Sequence, residues 1–228
     1  MRILLSTYGS RGDVEPMAAL AVALRGLGAE ATVCAPADPE FLRLLDRAGV
    51  PLAPAWMPVR TFVDLARRSE WKLPRTAAEL MAGQYEAISE AADGCDLIVA
   101  TGLFPSSAAA QAVAETRGLP FALASFCPVV LPSPHHPPLS YPGHPNPPGV
   151  TDNTTLWAFN NHAMDALFGE AVNRKRAALG LSLPDHVRDH VFTRRPLLPA
   201  DPVLAPWPGG DMVDPVQTGA WLLPDERP

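Results

Sequence analysis

The sequence is short of long apolar runs, cysteine and positive charge, and each shortage excludes a class of protein. A membrane-spanning helix needs about 20 consecutive apolar residues, and none of the 228 positions begins such a run. The amino terminus enters a strand pattern directly, with no secretory leader ahead of it. Together these features predict a cytoplasmic protein. Cys34, Cys95 and Cys127 are scattered, odd in number and without C-x-x-C spacing, which fits reduced thiols and not a disulfide framework or a zinc site. Asn153-Thr154-Thr155 matches a glycosylation acceptor, a match without meaning in a chain that is not secreted. A formal net charge of −6 predicts no nucleic-acid partner and gives no support to peripheral contact with an anionic membrane. G-x-G-x-x-G is missing, and no acidic residue closes the second strand pattern, which argues against a nicotinamide-dependent reductase.

What is present is an ordinary hydrophobic fraction of 47% and an unusual 27 prolines, unevenly placed. The chain is long enough to bury a substantial core. Its organising stretch is the first one. Arg2-Ile3-Leu4-Leu5-Ser6-Thr7 is apolar and strand-like, Tyr8-Gly9-Ser10-Arg11-Gly12-Asp13 breaks it, and from Val14 apolar residues recur at helical spacing through Met17, Leu20, Ala21, Leu24 and Leu27. A strand, a glycine-bearing turn and a helix begin a parallel α/β domain, and ligands bind at that end of the strand. Asp13 falls where an N-cap carboxylate is expected, and it reads either as that cap or as a functional carboxylate. Ser10, Arg11 and the two glycines could present N–H groups and positive charge to an anion. Arg11-Gly12-Asp13 also spells an adhesion tripeptide, but it is pinned between strand and helix.

The pattern then alternates. Strands are expected at 31–35, 50–53, 96–101 and 120–125, and helices from Asp38 to Ala48, over 76–92 with Thr76 as cap, and over 104–117. Between Pro54 and Pro74 the periodicity weakens, and Trp56, Phe62 and Trp71 either complete the core or form a mobile aromatic wall of a cleft. Nine prolines fall between Pro128 and Pro148, with His135, His136, Tyr141 and His144 among them. A loop of that length is usually functional or disordered, and residues 134–148 are expected to be poorly ordered without a ligand. Its histidines are not at metal-ligand spacing, so no metal is expected. A long helix follows over 154–179, with Leu156, Phe159, Ala163, Leu167 and Ala171 as its buried stripe. Short extended segments close the chain at 196–206 and 216–219.

The run Gly9-Ser10-Arg11-Gly12-Asp13-Val14-Glu15-Pro16 resembles the start of bacterial natural-product glycosyltransferases of the GT-B fold, above all those that decorate vancomycin-type glycopeptide aglycones. Cys34-Ala35-Pro36, Val129-Val130-Leu131-Pro132-Ser133-Pro134, Ala200-Asp201-Pro202-Val203-Leu204-Ala205-Pro206 and Gln217-Thr218-Gly219-Ala220-Trp221 are similar to later stretches of that family. The resemblance implies one Rossmann-like half of a GT-B fold: a parallel sheet with helices on both faces over residues 1–228, a proline-rich loop at 128–152 and the start of an interdomain linker at 207–228. It implies that this half holds the acceptor, that a carboxyl-terminal half holds most of the nucleotide-sugar, and that the chain alone is inactive. Asp13 would be the general base of an inverting transfer, and Ser10, Arg11 and Gly12 would meet the donor diphosphate. Trp56, Phe62, Trp71, Phe126, Pro134, His135, His136 and Tyr141 would wall the acceptor. The donor would be a UDP- or dTDP-linked hexose or deoxyhexose, with no further cofactor and no metal. The sequence departs from the family around Trp56 to Trp71 and in the loop histidines, which leaves the aglycone open. The alternative is a non-catalytic helper that binds an aglycone or a partner transferase.

Overall fold

The computed structural model describes residues 1–68, 75–141 and 143–224. Its centre is a five-stranded sheet in the order β3-β2-β1-β4-β5, with every pairing parallel. The strands are β1 (Arg2–Tyr8), β2 (Glu30–Ala35), β3 (Leu52–Pro54), β4 (Leu97–Gly102) and β5 (Phe121–Leu123). A parallel bridge from Ala124 to Leu197 continues the sheet into a small second pair, β6 (Leu197–Leu198) and β7 (Val216–Gln217). Parallel strands require crossovers, and the helices supply them: α1 (Arg11–Gly26), α2 (Pro39–Arg47), α3 (Val59–Ala66), α4 (Arg75–Ala91) and α5 (Phe104–Arg117).

Side chains of a strand alternate between its two faces, and β1 shows the consequence. Ile3 and Leu5 pack with Val14, Met17 and Phe41 on the α1–α2 side, whereas Leu4 and Tyr8 pack with Leu80, Ile88 and Ala109 on the α4–α5 side. A sheet buried on both faces needs apolar residues at successive positions, which is why the strands read as continuous runs. The α/β architecture with helices on both faces agrees with the expectation from the sequence.

Several boundaries differ, each for a local reason. Helix α1 begins at Arg11, not Val14, because Ser10 is its N-cap. Asp13 is therefore the third helical residue and not the cap. Its carboxylate reaches back to accept the Ser10 N–H at 2.7 Å, the return half of a capping box. Strand β3 starts at Leu52 and includes Pro54 as its last residue; β3 is an edge strand, where a missing N–H costs the ladder nothing. Thr76 is helical and buried, so it does not cap α4. Helix α3 occupies the weakly periodic segment and has no local cap. The buried Asp38 supplies one from a distance, accepting the Val59 N–H at 2.7 Å and the Arg60 N–H at 3.3 Å.

The long helix is present as α6 (Asn153–Met164), a π-turn over Asp165–Gly169 and α7 (Glu170–Ala178). Leu156, Leu167 and Ala171 of the expected stripe are buried, joined by Trp157, Met164, Phe168 and Val172, whereas Phe159, ahead of the π-turn, is exposed. A last short helix, α8 (Val187–Phe192), closes this layer. The proline-rich loop, expected to be poorly ordered, is packed. Trp157 Nε1 donates to the His136 carbonyl at 2.9 Å, Asn153 Nδ2 donates to that of Pro134 at 2.9 Å, and Tyr141 stacks edge-on against Phe168.

Candidate functional site

The strand order reverses between β1 and β4, the first going on to β2 and the second to β5. The crevice outside the carboxyl ends of such a pair is where open α/β sheets bind ligands. Here the two strand ends touch. The Leu103 N–H donates to the Tyr8 carbonyl at 2.9 Å, and Gly102, at φ +94°, lies so close that a Cβ would stand 2.6 Å from that oxygen. Only glycine fits this crossing.

A half-open cavity of about 350 Å³ lies above the reversal. Asp13 stands at its edge, the Thr101–Phe104 segment and Ser107 form the floor, and Ser125, Phe126 and Cys127 follow from the end of β5. Tyr141 from the proline-rich loop, Met164 from α6 and Phe192 from α8 complete the wall. The amino ends of α1 and α5 both belong to this edge of the sheet, and their unpaired N–H groups favour negative charge nearby. Burial pushes the Tyr141 hydroxyl pKa up, so it stays a neutral donor and acceptor.

Asp13 is fixed by its neighbours. The Ser10 N–H and the Ser10 hydroxyl, at 2.7 and 3.2 Å, both donate to Oδ2. Among the described residues nothing bonds Oδ1. Gly9 passes directly beneath the carboxylate, where a Cβ would come within 2.2 Å of Oδ2. A carboxylate held this way, with one oxygen unused at the mouth of a cavity, can take a proton from a hydroxyl placed there.

The chain is 43% identical over 230 residues to Glycosyltransferase GtfE and 40% identical over 229 residues to Vancomycin aglycone glucosyltransferase, both of Amycolatopsis orientalis. Over its whole length the chain is similar to glycosyltransferases of the vancomycin type. These matches cover all of the chain and 56% and 55% of the two relatives, so it spans about half the length of the curated relatives it matches. No family model matches it. Among solved structures, the glycosyltransferase of kitacinnamycin superposes with a TM-score of 0.62 at 18% identity, over 96% of this chain and 51% of that one. That likeness shows the α/β fold of one half of a GT-B glycosyltransferase in this chain.

The site residues expected from the sequence separate by their position. Asp13, Phe126 and Tyr141 meet at the cavity, and Ser10 and Gly12 stand beside Asp13 in the first turn of α1. The Arg11 side chain turns away, bonded to Glu15 at 2.6 Å and facing a hollow lined by Phe41, Arg43 and Arg47. Trp56 and Phe62 do not line the cavity. They pack with Tyr8 in the core, the Tyr8 and Phe62 rings edge to face at 5.6 Å, while Trp56 lies over Gly83 and borders a separate, shallow hollow. Trp71 lies outside the described residues. Pro134, His135 and His136 stand at the amino end of α6, His135 exposed and the His136 ring between Trp157 and Trp207, again off the cavity.

Thr101, Ser107, Ser125, Cys127, Met164 and Phe192 line the cavity and were not expected from the sequence. Thr101-Gly102 carries the same signal as Gly9-Ser10, a strand ending in glycine before a helix, and the strand-end rule applied to β4 finds it. Met164 and Phe192 carry no such signal, since the packing of α8 against α5 and of α6 against α8 brings them there.

Proposed function

We propose that this chain is the acceptor-holding half of an inverting glycosyltransferase, which moves a sugar from a nucleotide-sugar to a hydroxyl of a glycopeptide-type aglycone. The observation that carries the proposal is the position of Asp13: a carboxylate fixed from one side, with a free oxygen, at the mouth of a cavity on the β1–β4 reversal. In the reaction the acceptor oxygen bonds to the anomeric carbon as the bond from that carbon to the diphosphate breaks. The proton leaving the hydroxyl passes to Asp13, and the bond electrons leave with the diphosphate. The cavity's mix of aromatic walls (Phe104, Phe126, Tyr141) with the hydroxyls of Thr101, Ser107 and Ser125 suits a flat, phenol-rich acceptor.

The donor diphosphate meets the amino end of α1. Ser10 spends its N–H on Asp13, and the Arg11 guanidinium is held by Glu15. The groups left for phosphate oxygens are the Arg11 and Gly12 N–H and the Ser10 hydroxyl, which can exchange Asp13 for a phosphate. The rest of the nucleotide, UDP or dTDP, is held by the half of the relatives' length that this chain does not span. Residues 207–224 lead toward that half, with Trp221 seated edge-on against Phe126 at 5.8 Å.

Joining the chain after Pro228 to the carboxyl-terminal half of a vancomycin-type relative tests this reading. The fusion is expected to transfer sugar and the chain alone is not, because the donor must be positioned against Asp13. In the fusion, Asp13→Asn is expected to lower turnover by about a hundred- to ten-thousand-fold. Near-normal turnover in that variant would reduce Asp13 to a helix-capping residue.

A further inference from the structure

A group of side chains that does not line the cavity has the composition of a metal site. His162 and Asp165 are one turn apart on the same face of the long helix, and the π-turn begins at Asp165. His186, the N-cap of α8, reaches across so that its Nδ1 lies 2.7 Å from Asp165 Oδ2. The His162 and His186 rings meet edge to face with centroids 5.5 Å apart. One ligand atom from each of the three lies within 4.8 Å of the others.

We propose that His162, Asp165 and His186 bind one borderline divalent cation of the Zn²⁺ type. A tetrahedral zinc with bonds of about 2.0–2.1 Å holds its ligand atoms roughly 3.4 Å apart. Reaching that spacing requires only that the exposed His162 ring swing inward and that the close His186–Asp165 pair open slightly. Asp165 is already oriented, since its other oxygen, Oδ1, accepts the Val187 N–H at 3.0 Å. Such a fixed carboxylate is the kind of support that metal ligands require. Two imidazoles and one carboxylate select Zn²⁺, Co²⁺ or Ni²⁺ over Mg²⁺ and Ca²⁺, which prefer all-oxygen sites. Water fills the fourth position.

The Asp165–His186 pair has a second explanation, as a cap on α8, but that role has no use for His162. His162 therefore separates a metal site from a helix cap. The cation would also have a structural effect. It joins α6 to α8, and the inner faces of those helices carry Met164 and Phe192 to the 350 Å³ cavity. Cation binding would thus stiffen one wall of that cavity without entering it. The proposal does not depend on what the cavity binds.

The test is titration of the untagged chain with Co²⁺, followed by its visible absorption bands and by calorimetry. The expected result is one saturable cation per chain, displaced by Zn²⁺ and not by Mg²⁺. His162→Ala and Asp165→Asn are each expected to weaken it roughly tenfold or more, with the metal-free melting temperature of His162→Ala unchanged. His135→Ala, at another exposed histidine, is expected to bind as the parent does. Absence of saturable binding, or full affinity in His162→Ala, would overturn the assignment.

Discussion

Two aspartates follow successive parallel strands, and their surroundings assign them different work. Asp38, three residues after β2, is fully buried, and both of its oxygens accept backbone N–H groups of α3. Asp13, five residues after β1, is partly exposed and receives both of its bonds on one oxygen. A carboxylate with both oxygens engaged is a structural part. One with an oxygen left over, facing a cavity, is available for chemistry. The difference comes from position in the sheet: the end of β2 lies against α3, whose first N–H groups Asp38 caps, whereas β1 ends at the reversal, beside the cavity.

Removing the structural carboxylate should cause the largest loss of stability. Asp38→Ala leaves two N–H groups without their acceptor, each costing about 1–3 kcal/mol, and denaturant unfolding is expected to show a loss of about 2–5 kcal/mol. A loss below 1 kcal/mol would mean that water replaces Asp38 readily. Gly9→Ala comes next, because its methyl group would collide with the Asp13 carboxylate. Overpacking of that kind costs about 1–3 kcal/mol, and displacement of the carboxylate should lower turnover of the fusion more than Ser10→Ala does. Ser10→Ala removes a helix-cap side chain worth about 1 kcal/mol but keeps the Ser10 N–H bond that holds Asp13, so its melting point should fall only slightly.

The thiols extend the same contrast between covered and open strand ends. Cys34 on β2 is buried, and burial pushes its pKa up to about 12. Cys127, past the end of β5, is exposed at the cavity. At pH 8 a thiol reagent is expected to label Cys127 in the folded chain and to leave Cys34 untouched until unfolding, read by mass spectrometry of the peptides. Protection of Cys127 by an added aglycone would sharpen the assignment of the cavity.

The fold was legible in the sequence wherever local periodicity and punctuation carried it. The β1–α1 unit, α5 between Phe104 and Gly118, and the alternation of elements follow from residue spacing alone. Helix α3 was not legible, because its cap comes from Asp38, 21 residues away, and no local pattern shows that. The site was legible in part for the same reason. Ser10, Gly12 and Asp13 belong to one local turn, and Tyr141 stood out in an unusual loop. Trp56 and Phe62 misled because an aromatic cluster at a weakly periodic segment looks alike in sequence whether it walls a cleft or, as here, packs under Tyr8. Met164 and Phe192 reach the cavity only through the tertiary packing of α6 and α8.

The most direct test of the contrast substitutes both carboxylates conservatively in the fusion enzyme, Asp13→Asn and Asp38→Asn, and measures melting temperature and turnover per folded molecule for each. The account predicts opposite outcomes: Asp13→Asn keeps its melting temperature, since an amide oxygen still accepts the Ser10 N–H, and loses about a hundred-fold or more in turnover. Asp38→Asn melts earlier, since one amide oxygen cannot serve both α3 N–H groups in the same way, and keeps turnover. If both variants lose stability and keep turnover, Asp13 serves only the capping box of α1, and the catalytic base lies elsewhere.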